Sequence, residues 1–148
     1  LQSEEQSEKP LPSLGTATVN RPSAVSFVHT LAACAAALVL PGLGHLALGR
    51  WARGVAVGLG ITAMFGLGLW MQGRVFTPQP GDWLTWLFSF LDAGLGLPYF
   101  ACVALGIGTK IQAAAQTYEY GTNFIAVAGA LNMLAVMDVY DIAIGRKA

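Results

Sequence analysis

Five ionisable side chains stand where ionisable groups are costly. His29, Asp92, Asp138 and Asp141 fall inside long apolar stretches, and His45 lies in a glycine-rich break. A carboxylate at the centre of a bilayer costs on the order of 3 kcal/mol on insertion scales, so each intramembrane acid marks a site hypothesis. Asp92 is the deepest of the three. It reads as a proton or cation relay, or as a structural acceptor for a facing Thr, Asn or Tyr. Asp138 and Asp141, spaced i, i+3, share a helix face. Tyr140, Arg146 and Lys147 stand close in sequence, so interfacial anchoring and salt bridging account for the pair. A divalent cation would need further oxygen ligands than two carboxylates supply, and no resident metal is expected.

The two histidines carry a second chemistry. A neutral imidazole in an apolar span is the axial ligand that haem iron or a chlorophyll magnesium requires. His29 and His45 belong to one hairpin, so a bis-histidine haem would use both; a single-ligand pigment would use either. The plain alternative is that each simply hydrogen-bonds. Nothing supports an ordinary enzyme: the chain has no phosphate loop, paired-cysteine motif, His-Glu-x-x-His or Gly-x-Ser-x-Gly.

The elements that must position these residues are hydrophobic. Apolar residues make up 55% of the chain and charged ones 11%, with a mean hydropathy of +0.57. A soluble domain of this size would rarely tolerate that balance. Four apolar stretches, residues 24–40, 54–71, 83–108 and 124–144, are each about long enough to cross a hydrocarbon core of about 30 Å as a helix. Trp51, Trp70, Trp83, Trp86, Tyr118 and Tyr120 mark their ends, as an aromatic belt would. Pro41-Gly42 must stop or kink the first stretch, and Leu97-Pro98 is expected to bend the third. Exposed backbone at such a break is tolerated at membrane depth only under a cover of protein.

Residues 1–23 are polar, contain Pro10, Pro12 and Pro22, and lack an apolar period. Such a segment does not order by itself and is read as an arm that a partner holds. The chain opens on Leu1, so its true N-terminus is processed or not represented. Leu31-Ala32-Ala33-Cys34 matches a lipoprotein cleavage box, but the sequence after Cys34 stays apolar and the reading is rejected. Cys34 and Cys102 read as buried free thiols. Eight basic and eight acidic residues cancel, which gives no electrostatic case for nucleic acid. Four spans would put both termini on one side, with five basic residues there against three opposite, a bias toward cytoplasmic termini.

Small residues form smooth strips at helical spacing: Gly54 with Gly58, Ala32 with Ala36, and Ala33 with Ala37. Such strips let helix backbones approach closely, either within the bundle or against another subunit.

Residues 41–50, Pro-Gly-Leu-Gly-His-Leu-Ala-Leu-Gly-Arg, with Arg53-Gly54, resemble the turn of the two-transmembrane-hairpin domain family. Ala47 replaces the aromatic usual there and the Asp-Arg-Phe triplet of animal members is absent, so no receptor-like role is implied. The C-terminal stretch around Asn132, Asp138, Tyr140 and Arg146 is similar to an uncharacterised bacterial membrane family. Together these resemblances imply a small bacterial polytopic protein of unassigned function, and they transfer no catalytic residue.

The expected fold is all-α: a bundle of four transmembrane helices over residues 24–148 with an extended arm over 1–23. The expected function is that of a non-enzymatic accessory or scaffolding subunit in a larger bacterial inner-membrane complex, respiratory or photosynthetic. Its partners would be membrane lipid and other membrane subunits, through Gly54, Gly58, Ala32, Ala36 and Arg21. The alternatives are a small ion or proton transporter or channel using Asp92, and a haem- or chlorophyll-carrying subunit using His29 or His45.

Overall fold

The computed structural model describes residues 24–110 and 116–146. The expected arm over 1–23, with Arg21, lies outside the described residues, as does Lys147. Among the described residues the fold is all-helical: α1 (Ala24–Val39), α2 (Leu43–Ala47), α3 (Trp51–Trp70), α4 (Trp83–Ala93), α5 (Leu97–Leu105) and α6 (Tyr118–Ala143).

Two of these, α3 with 20 residues and α6 with 26, are long and apolar enough to cross a membrane. At 1.5 Å per residue they extend about 30 and about 39 Å. They run antiparallel. Arg53 reaches Asp138 at one end, and Gly68 packs on Gly121 and Ile125 at the other.

The four spans expected from hydropathy are not four continuous helices. The first stretch is a 16-residue helix that stops before Pro41, because proline removes an amide donor and clashes with the preceding turn. The chain then doubles back through the single turn of α2. Gly42 lies against Gly54 and Gly58 of α3, while Gly44 lies against Ala33 and Ala37 of α1 and Val139 of α6. The third stretch breaks at residues 94–96 into α4 and α5, whose axes diverge by 120°. Pro98 does not bend a continuous helix here; it sits in the first turn of α5, where its missing amide costs nothing. After α5 the chain has returned to the Trp70 end of α3, where the Val75 amide donates to Gly108 O at 2.8 Å. Three spans would be reached only by counting α4 and α5 as one, and this return argues for a hairpin instead.

Two hairpin tips therefore meet in the interior, residues 38–42 from the Trp51 end and 91–96 from the Trp70 end. At Gly96, with φ +71°, a β-carbon would collide with Leu38 O, and at Gly129 of α6 one would collide with Leu91 O, so both approaches require glycine. Ile61, Phe65, Leu95, Tyr99, Ile125 and Ala128 fill the core around α3, α5 and α6. Ala33, Ala37 and Val139 join α1 to α6.

Asp82 starts α4 as its N-cap. One carboxylate oxygen accepts the Leu84 amide at 3.0 Å and the other accepts the Thr85 hydroxyl. The Thr85 hydroxyl, aided by the Leu84 and Thr85 amides and the Arg74 charge, holds this carboxyl below the usual carboxylate range. A depressed native pKa stabilises above the unfolded-state pKa, and that contribution is lost as pH falls through the native value. Amide-exchange protection at Leu84 and Thr85, corrected for intrinsic rate, is expected to decline only as pH falls below the ordinary carboxylate range. In Asp82→Ala that acid-dependent decline should be absent.

Candidate functional site

Three polar clusters are built into this frame. At the Trp51 end, α2 carries His45 inward because Gly44 lets it nest against α1 and α6. His45 is 1% exposed, and its Nε2 lies 3.0 Å from Asp138 Oδ2. Arg53, one turn into α3, donates to the same oxygen at 3.4 Å. The imidazole is thereby oriented by a carboxylate, as in an acid–base pair, while its buried Nδ1 has no protein partner. Asp141 faces Arg146 at 3.8 Å instead. The two acids that share a helix face are thus separated by their partners, which does not assemble a divalent-cation site. Among the described residues no three His, Cys, Asp or Glu side chains gather as metal ligands do.

His29 stands on the exposed face of α1, so the two histidines of the hairpin occupy unlike surroundings. His45 uses Nε2 for Asp138, which engages the nitrogen that axial ligation most often employs.

The second cluster surrounds Asp92, which is 0% exposed. Its Oδ2 accepts the Phe76 amide at 2.8 Å. Ser89 Oγ and Tyr99 Oη donate to the Phe76 carbonyl at 2.9 and 3.0 Å. The chain at Phe76 is non-helical, so its backbone lacks intrahelical partners, and these three side chains supply them. Arg74 stacks 4.7 Å over the Phe76 ring, and the Arg74 amide donates to Thr122 Oγ1 at 3.0 Å. Asp92 holds a strap in place, with one oxygen left unpartnered in the protein.

The third cluster is one residue, Asn132, fully buried in α6. Its Nδ2 donates to Ala37 O at 3.2 Å and to Gly94 O at 2.8 Å. These carbonyls belong to the ends of α1 and α4, where intrahelical donors run out. One amide group therefore closes both hairpin tips. Sequence reasoning passed over Asn132 as a site residue; the available signal was an uncharged amide alone in an apolar helix, which carries the same desolvation argument as an acid.

The small-residue strips divide. Gly54 and Gly58 face Gly42 and Pro41 of the same chain, with a β-carbon at Gly58 falling 2.8 Å from Pro41 O. Ala33 and Ala37 are buried in the interior, whereas Ala32 is exposed and Ala36 half-buried on α1. Between α3 and α6 an open groove of about 380 Å³ runs from Gly60 and Leu131 to His45 and Asp138.

A family model covers residues 32–148, and so includes α2 to α6 and all three clusters. The chain belongs to that family, a family of unknown function (DUF6677). No curated protein and no solved structure matches the chain. Membership therefore brings no activity with it, and the functional reading rests on the geometry.

Proposed function

We propose that this chain is a non-catalytic accessory subunit of a bacterial inner-membrane complex, a scaffold that offers packing surface to a partner. In this reading α3 and α6 cross the bilayer. The α1–α2 and α4–α5 hairpins enter from opposite faces and meet around Asn132. The turn that resembles the two-transmembrane-hairpin family becomes the tip of the first hairpin, and its Arg50 and Arg53 return to the face where α1 begins and α6 ends. With Arg146 there, that face has three of the described basic residues against Arg74 and Lys110 opposite. The redistribution strengthens the case for cytoplasmic termini.

The observation that carries the proposal is the outer face of α1. Val28, Leu31, Leu38 and Val39 are about half exposed or more, around the small Ala32. A helix too short to cross, packed on one side only, offers a partner helix large knobs beside a close-approach strip. The polar clusters, by contrast, serve the chain's own backbone at Phe76, Ala37 and Gly94.

The test is gentle-detergent extraction of native membranes through a C-terminal tag, with mass spectrometry of the eluate. A stoichiometric partner is expected, and Ala32→Trp should lower its recovery roughly tenfold, the equivalent of losing about 1.4 kcal/mol of helix contact. A solitary protein, or a partner indifferent to Ala32→Trp, would remove the scaffold reading.

A further inference from the structure

Among the described carboxyl groups only Asp92 is fully buried, and no ion pair reaches it. Its Oδ2 accepts a single bond, from the Phe76 amide, and its Oδ1 is buried with no partner in the protein. Few titratable or charged groups surround it. The strap, residues 72–82, brings Arg74, which stacks on the Phe76 ring and lends its charge to Asp82 at the start of α4. From α5 come Cys102 and Tyr99, whose hydroxyl is committed to the Phe76 carbonyl. Between Thr122 and Asn132 α6 has none, and at its start only Tyr118, the exposed Glu119 and Tyr120. The Trp70 half of α3 and the tip at 38–42 have none.

One amide bond does not offset the hydration that an isolated carboxylate loses on burial, so this seat fits the neutral acid. The same contact holds the strap. Asp92 takes the Phe76 amide, while Ser89 and Tyr99 take the Phe76 carbonyl. Two residues further on, Pro78 walls a recess of about 270 Å³ between α4 and α5, which Ser89 and Tyr99 also line. Releasing Phe76 therefore frees Pro78 and leaves two hydroxyl groups facing the recess. Because the closed state holds one proton more than the open one, closure is favoured in acid and weakens as pH rises.

We propose that Asp92 is a proton site that governs the strap. With its proton it holds residues 72–82 on the α4–α5 hairpin. When the proton passes to water entering beside Pro78, the carboxylate hydrates, Phe76 is released and the recess opens at the Trp70 end.

The full chain in lipid nanodiscs is followed by two readouts across a pH series. Infrared difference spectra, with Asp92→Asn as the reference, should show the carbonyl stretch of an un-ionised carboxyl group at neutral pH, fading as pH rises. Amide exchange at Phe76, corrected for intrinsic rate, should increase through the same range by about tenfold per pH unit, the slope of a one-proton opening. In Asp92→Asn the amide oxygen accepts the Phe76 amide without a charge, so the slope should vanish with the strap still protected. Ser89→Ala removes one bond to the carbonyl and no charge; exchange should rise about fivefold at every pH and keep the slope. Absence of the carboxyl band at neutral pH would overturn the site. So would a band that fades while exchange at Phe76 stays flat, because Arg74 or another internal group would then have taken up the charge. A slope that survives in Asp92→Asn would assign the pH response elsewhere and overturn it equally. None of these results bears on the α1 face.

Discussion

Gly96→Ala is expected to destabilise the fold by roughly 3–5 kcal/mol. Two costs add. The residue sits at φ +71° and ψ −130°, a region that only glycine occupies without strain, which accounts for about 1–3 kcal/mol. The new β-carbon would also be driven into Leu38 O, and neither hairpin tip can retreat without opening the other. Overpacking of this kind costs about 1–3 kcal/mol more. Gly106→Ala separates the two contributions. Gly106 also has positive φ, at +68°, but open space around it, so the cost there should be about 1–2 kcal/mol. Equilibrium unfolding in mixed micelles, followed by circular dichroism, checks both. Equal losses at the two glycines would mean that the tips are not in contact.

Asn132→Leu is expected to cost about 2–3 kcal/mol in the same assay. Interhelical hydrogen bonds in membranes average well under 1 kcal/mol, because an unfolded helix in lipid finds other partners. Here both acceptors are carbonyls at helix ends, and neither Ala37 O nor Gly94 O has another donor offered by Asn132's neighbours on α6, which are aliphatic. Each buried carbonyl left unsatisfied costs about 1–3 kcal/mol, and the polar environment of a loosened tip recovers part of it. Asn132→Asp should recover at most one of the two bonds, since a carboxyl group has one donor when protonated and none when ionised. A loss below about 0.5 kcal/mol, near the ordinary membrane average, would deny Asn132 its closing role.

Much of this architecture was legible in the sequence, and the limits have physical causes. The stretches 54–71 and 124–144 correspond to α3 and α6, because a continuous apolar helix announces itself residue by residue. The stop at Pro41 was legible as well. Hydropathy, however, counts apolar residues and is blind to the direction in which they run. Residues 83–108 satisfy the composition of one span while folding as α4 and α5 around glycines at 94 and 96. The same blindness assigned Arg50 and Arg53 to the face opposite α1, which diluted the charge bias. Asp92 was singled out from its cost alone, but its partner Phe76 donates through the backbone, which no residue type reveals. His45 and Asp138 were each noted separately. They are 93 residues apart, and only the nesting of Gly44 brings them together. The tryptophans kept their place: Trp51, Trp70, Trp83 and Trp86 are all more than half exposed at helix ends.

The pairing of two crossings with two opposed hairpins is tested most directly by which face of the membrane each turn reaches. Single cysteines at Ala52, Gln79 and Arg146, in a Cys34→Ala, Cys102→Ala background, are labelled with an impermeant maleimide in sealed, oriented vesicles. All three positions are exposed, so access to reagent depends on sidedness. The hairpin architecture predicts that Ala52→Cys and Arg146→Cys react from one face and Gln79→Cys from the other. Four simple crossings would instead place Gln79→Cys with Arg146→Cys and leave Ala52→Cys opposite, and that pattern would contradict the account.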